Sequence, residues 1–314
     1  MSKVVALGGG HGLAATLTAL RQVTQEITAI VTVADNGGSS GRLREEFPIF
    51  PPGDLRMALA ALCADDEWGR TWAQIMQHRF VSNGELNGHA MGNLLLASMW
   101  NAGDDPVVAL DRVGQLLKVV GRVLPMSAVA LDIEGTFNTS TGRIVVRGQK
   151  EVATAKGRIE SLTIIPENPR ARPEALDAIR DAQWITMGPG SWFSSVIPHL
   201  LVPQQREALE ASSARKIVIL NLDAHPQTPG EEFAGSTPEE HLELFHRYAP
   251  ELRIDYFLVD PSVVRNRTSL ESLAREYGGE LVIGDIRKAP GSVHHDEKKL
   301  ASQLSHIFNQ TLLG

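Results

Sequence analysis

Val4–Val33 reads VVALGGGHGLAATLTALRQVTQEITAIVTV, and its rhythm decides the fold. The apolar run Val4–Leu7 ends in Gly8-Gly9-Gly10-His11-Gly12, a helical pattern follows from Leu13, and a second apolar run covers Ile27–Val33. Strand, glycine turn, helix and strand within about 30 residues form a βαβ unit, so the sheet begins parallel. Gly10-His11-Gly12-Leu13-Ala14-Ala15 satisfies G-x-G-x-x-A, and Asp35 closes the second run about twenty residues further on. That is the spacing of a dinucleotide fingerprint, in which the acid bonds a ribose hydroxyl and the turn faces a pyrophosphate. Read plainly, the glycines make a tight strand–helix turn and nothing more. Gly12 is followed by Leu-Ala-Ala and not by a lysine, which sets aside a P-loop NTPase.

The next stretch is richer. Thr32–Arg56 reads TVADNGGSSGRLREEFPIFPPGDLR, where a strand–helix connection needs about two to six residues. Gly37, Gly38 and Gly41 let the backbone approach a ligand, and Ser39 and Ser40 add hydroxyl donors. Arg42, Arg44 and Arg56 carry the planar fork that grips phosphate oxygens. Asp35 or Asp54 can hold Mg²⁺ through water or receive a proton, so these two are the candidate catalytic residues. The plainer reading is an exposed loop whose arginines pair with Glu45 and Glu46, an arrangement worth little energetically. Beyond it, DLRMALAALCA reads as a helix with Asp54 as N-cap, and in NGHAMGNLLLA Asn93, near His89, is either a helix cap or a ligand contact.

Further helices are expected over Asn93–Asn101 and Pro106–Val120. From about Val123 to Pro166 the texture changes to alternating, β-branched stretches separated by turn residues, the pattern of a small antiparallel insertion. After Pro173 helices and strands alternate again, with strands at QWITM, KIVILNL, DYFLVD and ELVIGD and a closing helix from about Asp296. The expected fold is a doubly wound, mainly parallel, Rossmann-like α/β sheet, with 1–314 as a single domain carrying a β-rich insertion at about 123–166.

In open α/β sheets ligands sit beyond the carboxyl ends of the strands. The strands here are followed by GGGHG, ADNGGSSGR, Gly188-Pro189-Gly190-Ser191, Asn221, Asp260 and Asp285. Three of these turns are glycine-rich and lead toward helix N-termini, which favour phosphate. Trp192, beside the Gly188–Ser191 turn, is a candidate platform for a base or sugar. His294-His295-Asp296 has metal-capable residue types, yet neighbours on an extended strand point opposite ways, and Asp296 as a helix cap accounts for the run.

Composition narrows the classes. A net charge of −7 and a pI near 5.8 give no electrostatic footprint for nucleic acid or an anionic membrane. Cys63 is the one cysteine, which excludes an internal disulfide and fits a reducing cytoplasm. No apolar run approaches a membrane span, and the N-terminus lacks the apolar length of a signal peptide. A cytoplasmic protein with no nucleic-acid partner and no membrane insertion is expected, with a homodimer as the default assembly.

In order along the chain, GGGHG, TVADNGGSSGRLR, PPGDLR, HAMGNLLLA, MGPGSWFSSVIPHLLVP and NL…PGE resemble the CofD-like family, and within it the gluconeogenesis-factor (YvcK) branch. The resemblance implies one of two activities. The CofD branch comprises 2-phospho-L-lactate transferases, which use a guanylyl-activated phospholactate and Mg²⁺ to make a deazaflavin coenzyme precursor. The other branch is associated with growth on gluconeogenic carbon, cell shape and peptidoglycan synthesis, and binds UDP-sugars such as UDP-N-acetylglucosamine. Carried over by motif, Gly8, Gly9, Gly10, His11 and Gly12, then Asp35, Asn36, Gly37, Gly38, Ser39 and Ser40, line a nucleotide-sugar crevice. Asp54, Asn93, Gly188, Pro189, Gly190, Ser191 and Asn221 complete it, and Arg42 and Arg56 join from the reading of the residues themselves. Two departures stand out. DAHPQTPGE after Leu222 is longer than the branch pattern, and His294-His295-Asp296 replaces Arg-His-Asp, leaving a protonated His294 as a partial substitute for the arginine.

Three functions remain open on this reading. The first is a UDP-sugar-binding regulatory protein that acts through protein partners in cell-wall synthesis. The second is a phosphoryl-type transferase in which Asp35 or Asp54 holds Mg²⁺ and arginines neutralise developing charge. The third, from the fingerprint alone, is an NAD-binding protein, though no hydride-transfer partner set accompanies it. Aromatic residues make up 5% of the chain, thin material for a flat deazaflavin pocket, so binding is favoured over transfer.

Overall fold

The computed structural model describes residues 2–222 and 237–310. Its strands, in chain order, are β1 (Val4–Gly8), β2 (Ile27–Val31), β3 (Arg122–Pro125), β4 (Asp132–Thr139), β5 (Gly142–Arg147), β6 (Arg158–Ile165), β7 (Trp184–Met187), β8 (Arg215–Ile219), β9 (Tyr256–Val259) and β10 (Glu280–Ile283). Seven of them lie in the order β10-β9-β8-β7-β1-β2-β3, with every neighbouring pair parallel. Every residue of β1 and β7 is buried, as central strands covered by helices on both faces require. The chain runs outward from β1 to β3, then returns to place β7 on the other side of β1. The strand order therefore reverses between β1 and β7, and the crevice beyond their carboxyl ends is the switch point of the sheet. β4, β5 and β6 form a separate antiparallel sheet in the order β5-β4-β6.

The doubly wound architecture is as expected, but several boundaries differ. Thr32–Arg56 is not one loop. After α1 (Gly10–Leu20) and β2, it holds α2 (Gly38–Glu46) and the start of α3 (Pro52–Ala61). Proline is tolerated in a first helical turn because its missing N–H has no partner there anyway. With Pro51 as N-cap, Asp54 lies inside the first turn of α3 and not at its cap. After α4 (Glu67–Gln77), α5 (Met91–Asn101) is capped by Ala90, so Asn93 is likewise interior, and α6 (Pro106–Leu117) follows. The antiparallel insertion is narrower than 123–166, because the buried run Val123–Pro125 pairs with β2 in the main sheet. Asp296 does cap the closing helix Glu297–Gln310, its Oδ1 accepting from the Lys298 and Lys299 amides at 3.0 and 2.9 Å.

The first turn of α1 is pressed onto the turn after β7. A Cβ added at Gly12 would lie 2.1 Å from the Pro189 carbonyl oxygen, and the Thr16 hydroxyl donates to the Gly188 carbonyl at 3.2 Å. Beneath β1, the buried His199 accepts from Gln205 Nε2 through Nδ1 at 2.8 Å, so its Nε2–H is the donor that faces the Gly8 carbonyl at 3.3 Å. Burial pushes His199 down to about 4, and it does the same to His241 and His295.

Gly12→Ala should lower stability by more than about 2 kcal/mol in urea unfolding, because backbone, unlike a side chain, cannot swing out of the way. The three histidines set the acid limb. Each stays neutral in the folded protein below pH 6.5, where the unfolded chain takes up protons. Their contribution is whole above about pH 6.5 and is lost as pH falls toward about 4. Melting temperature should fall steadily from pH 6.5 to 4.5, and less steeply in His199→Gln.

Candidate functional site

The turns after β1, β2, β7 and β8 meet at the switch point. Gly9, the N-cap of α1, has no room for a side chain: an added Cβ would sit 2.5 Å from Asp54 Oδ2 and from Thr32 Cγ2. Gly10 has φ +57°, the left-handed region that favours glycine. The turn after β7 is locked to β8 by Asn221, whose side-chain amide accepts from the Gly190 N–H at 3.0 Å and donates to the Gly190 carbonyl at 2.9 Å. Ser191 caps the π-type turn Trp192–Val196 by accepting from the Ser194 N–H.

After β2, Asp35 Oδ1 accepts from the Gly37 N–H at 2.8 Å. Its Oδ2 faces the first turn of α3, where a Cβ on Gly53 would lie 2.9 Å from it and 2.5 Å from Ser40 Oγ. Ser40 Oγ accepts from the Gly53 N–H at 3.0 Å and so fastens α2 to α3. Asp35 and Asp54 are thereby held on one side of the crevice. Asp54 is 8% exposed, and its Oδ2 has no hydrogen-bond partner. Burial, and then the charge of Asp35, push the Asp54 carboxyl up to about 7, while the Gly10 amide and Arg56 pull the other way. Two carboxylates close enough to feel each other, one with an orphan oxygen, are chemically suited to a hard cation such as Mg²⁺. No group of three or more His, Cys, Asp or Glu with metal-binding geometry forms among the described residues.

On the same floor, Arg56 Nε donates to Asn93 Oδ1 at 2.8 Å, and Asn93 Nδ2 donates to Ser39 Oγ at 3.0 Å. Ser39 in turn lies 2.9 Å from His89 Nδ1. Ser39 Oγ can accept from both Asn93 and His89 or give its own proton to His89, so it links the two side chains in either tautomer. Burial and the charge of Arg42 hold His89 below its ordinary value.

Gly8–Gly12, Asp35, Ser39, Ser40, Asp54, Arg56 and Asn93 thus form one contiguous floor, joined to Gly188–Ser191 and Asn221 through Gly12 and Thr16. Other candidates are engaged elsewhere. Arg42 donates to the carbonyls of Glu85 and Asn87, and Asn36 holds Glu151 and the Gln149 amide of the insertion. Arg44 bridges the Asp35 carbonyl and the Asp132 carboxylate, so the arginines do not pair with Glu45 or Glu46 among the described residues. Trp192 is no platform: it is 1% exposed and stacks on His241 at 4.9 Å between ring centres. The DAHPQ stretch and the residues after it through 231 lie outside the described residues.

Sequence reasoning gave His89 little weight and passed over Arg79. The charges of His294, Arg56 and Arg79 all act on His11, lowering its pKa together with desolvation, the largest cause. His89 sits 50 positions from Ser39, and no local pattern signals such a contact.

The family model described as 2-phospho-L-lactate transferase CofD matches residues 4–313. A Mycobacterium tuberculosis protein named as a gluconeogenesis factor is 47% identical over 311 residues, covering 97% of this chain and 90% of the relative. The gluconeogenesis factor of Bacillus subtilis is 35% identical over 322 residues, covering 98% of each. A solved structure of a UPF0052-family protein from Bacillus halodurans superimposes with a TM-score of 0.84 at 34% identity, covering 97% of this chain and 99% of that one.

Asp54 makes the protein's stability pH-sensitive in a direction opposite to the histidines. Between about pH 4 and its folded value of about 7, the folded protein holds a proton that the unfolded chain has released. Stability is therefore lost as pH rises through that window and stays lower above it. Asp54→Asn should raise the melting temperature by a few degrees at pH 8 and by much less at pH 5. An equal gain at both pH values would show that the carboxylate charge is not the cause.

Proposed function

Because the chain belongs to the CofD family and matches gluconeogenesis factors over nearly its whole length, we propose that it is a regulatory protein of gluconeogenic growth that binds a nucleotide sugar at the switch-point crevice. The observation that carries this reading is the buried, orphan Oδ2 of Asp54 packed against Gly9 at the start of α1, on a carboxyl that also feels the charge of Asp35. A nucleotide diphosphate supplies what that floor lacks. Its phosphates suit the helix N-terminus at Gly9–Gly12, and Mg²⁺ held between Asp35 and Asp54 would neutralise the carboxylates while binding phosphate oxygens. UDP-N-acetylglucosamine is the ligand of choice on this reading. The protein would then act in the cytoplasm, as a homodimer, through partners in cell-wall synthesis that set cell shape. No helix among the described residues is long and apolar enough to cross a membrane.

One observation favours a second reading. A carboxyl held at about 7 is poised to take a proton at neutral pH, as the general base of a CofD-type transfer must. Asp54 would accept the proton of an acceptor hydroxyl as its oxygen attacks the phospholactate phosphorus, the bond to the guanylyl phosphate breaks and GMP leaves, with Arg56 stabilising the developing charge.

Isothermal titration against UDP-N-acetylglucosamine, UDP-glucose, GDP and NAD, with and without Mg²⁺, separates the readings. Micromolar binding selective for uridine, weakened at least tenfold in Asp35→Ala, is the expected result. Mg²⁺-dependent selectivity for GDP, with turnover of a guanylyl-phospholactate donor and a deazaflavin acceptor, would replace it with the transferase. NAD selectivity, or no binding of any nucleotide, would remove both.

A further inference from the structure

Arg56 carries a buried charge that the protein does not balance by contact. It is 2% exposed, its Nη1 has no partner, and its Nε bond goes to the neutral Asn93 amide. Among the described residues it makes no ion pair. A guanidinium keeps its charge at neutral pH even when buried, so Arg56 is a cation. An uncompensated buried cation is among the costlier features a fold can hold, and it persists where a ligand supplies the counter-charge.

The surroundings add positive charge. Arg79 is exposed, stands opposite Ala90 in an isolated antiparallel bridge, and donates Nη1 to the Gly88 carbonyl at 2.8 Å, which fixes its guanidinium without neutralising it. Its charge reaches both Arg56 and His11, and His294 acts on His11 as well. These groups come from α3, the segment after α4, the first turn of α1 and the segment before the closing helix. Asp35 and Asp54 lie near enough to favour the charged form of Arg56, yet neither makes an ion pair with it.

We propose that Arg56 and Arg79, with His11 at their edge, form an anion subsite that receives a phosphate group bearing two negative charges. Two guanidinium forks match the several acceptor oxygens of a tetrahedral phosphate better than the two of a carboxylate. Asp35 and Asp54 act on Arg56 from close by, so an anion and a divalent cation would be held side by side. This deepens the nucleotide-sugar reading and rests on it for the identity of the ligand, in which the diphosphate would fill the subsite. A phosphate monoester has the same chemistry, and the test separates the two.

Inorganic pyrophosphate, UMP and UDP-N-acetylglucosamine should be titrated into the full-length protein, its Arg79→Ala and Arg56→Lys variants, and Arg143→Ala as a control for lost charge on the distant insertion. Arg79 is exposed, so its truncation does not threaten the core, and Arg56→Lys keeps the charge while removing the fork. Pyrophosphate should bind the wild type and Arg143→Ala alike, and at least tenfold more weakly to Arg79→Ala and Arg56→Lys. A parallel loss for UDP-N-acetylglucosamine, with UMP binding weakly throughout, assigns the subsite to a diphosphate. A parallel loss for UMP assigns it to a monoester. Pyrophosphate binding that depends on Arg79 without any UDP-sugar binding keeps the subsite and discards the nucleotide-sugar reading. UDP-sugar binding indifferent to Arg79→Ala keeps that reading and overturns the subsite. Equal weakening in Arg143→Ala, or no pyrophosphate binding by the wild type, also overturns it.

Discussion

The crevice depends on one backbone contact, the seating of Gly12 against the Pro189 carbonyl. Two segments more than 170 residues apart meet there with no side chain between them. Thr16 and Asn221 tie the same turn to α1 and to β8, and His199 holds the Gly8 carbonyl from below. Together these bonds fix where the first turn of α1 begins and where its free amides point. A side chain at Gly12 would separate the elements whose meeting forms the site. Glycine is thus required there by proximity, whereas at Gly10 the positive φ is the reason.

Charge is arranged on this frame with unusual imbalance. Asp54 and Arg56 stand two residues apart on α3, and side chains at that spacing leave a helix on different faces. They therefore cannot form the ion pair that their burial would otherwise demand. Asp54 turns toward Asp35 and Gly9, while Arg56 turns toward Asn93 and Gly92. Each keeps one polar atom without a partner. Structural ion pairs in this molecule look different: Asp260 accepts from four hydrogen-bond donors and sits beside Arg287, with nothing left over. The contrast sets the α3 pair apart: two buried charged groups lack the partners that Asp260 and Arg287 give each other, at some cost in stability.

The sheet and its strand-end turns were readable because buried parallel strands are continuous apolar runs, and because glycine clusters mark where backbone must come close. Helix starts were less readable. Asp54 and Asn93 have the chemistry of caps, but Pro51 and Ala90 take those places, and the polar side chains fall within the first turn. β3 is four residues long and borders the alternating segment, so its membership of the parallel sheet is fixed only by pairing with β2. Arg42 and Arg56 look alike in sequence. Burial alone separates them, one engaged on carbonyls at the rim and the other on the floor. Arg79 has no local signal, since its reach to Arg56 arises from the packing of α4 and α5, which flank it, on α3.

The antiparallel sheet is joined to this floor by specific bonds, which bears on how occupancy could be felt elsewhere. Asn36, next to Asp35, accepts from the Gln149 amide at 2.9 Å and donates to Glu151 at 3.1 Å. Arg44 holds the Asp35 carbonyl and reaches Asp132 at the start of β4, where Arg147 of β5 also binds. A cation that draws the Asp35 side chain inward therefore works against bonds anchored in β4, β5 and the helix Gln149–Thr154. Those bonds are short, polar and partly exposed, so each can be exchanged for water at little net cost. The hydrophobic core beneath is close-packed and resists the same displacement. Any shift of Asp35 is for that reason passed preferentially to the insertion and not into the sheet.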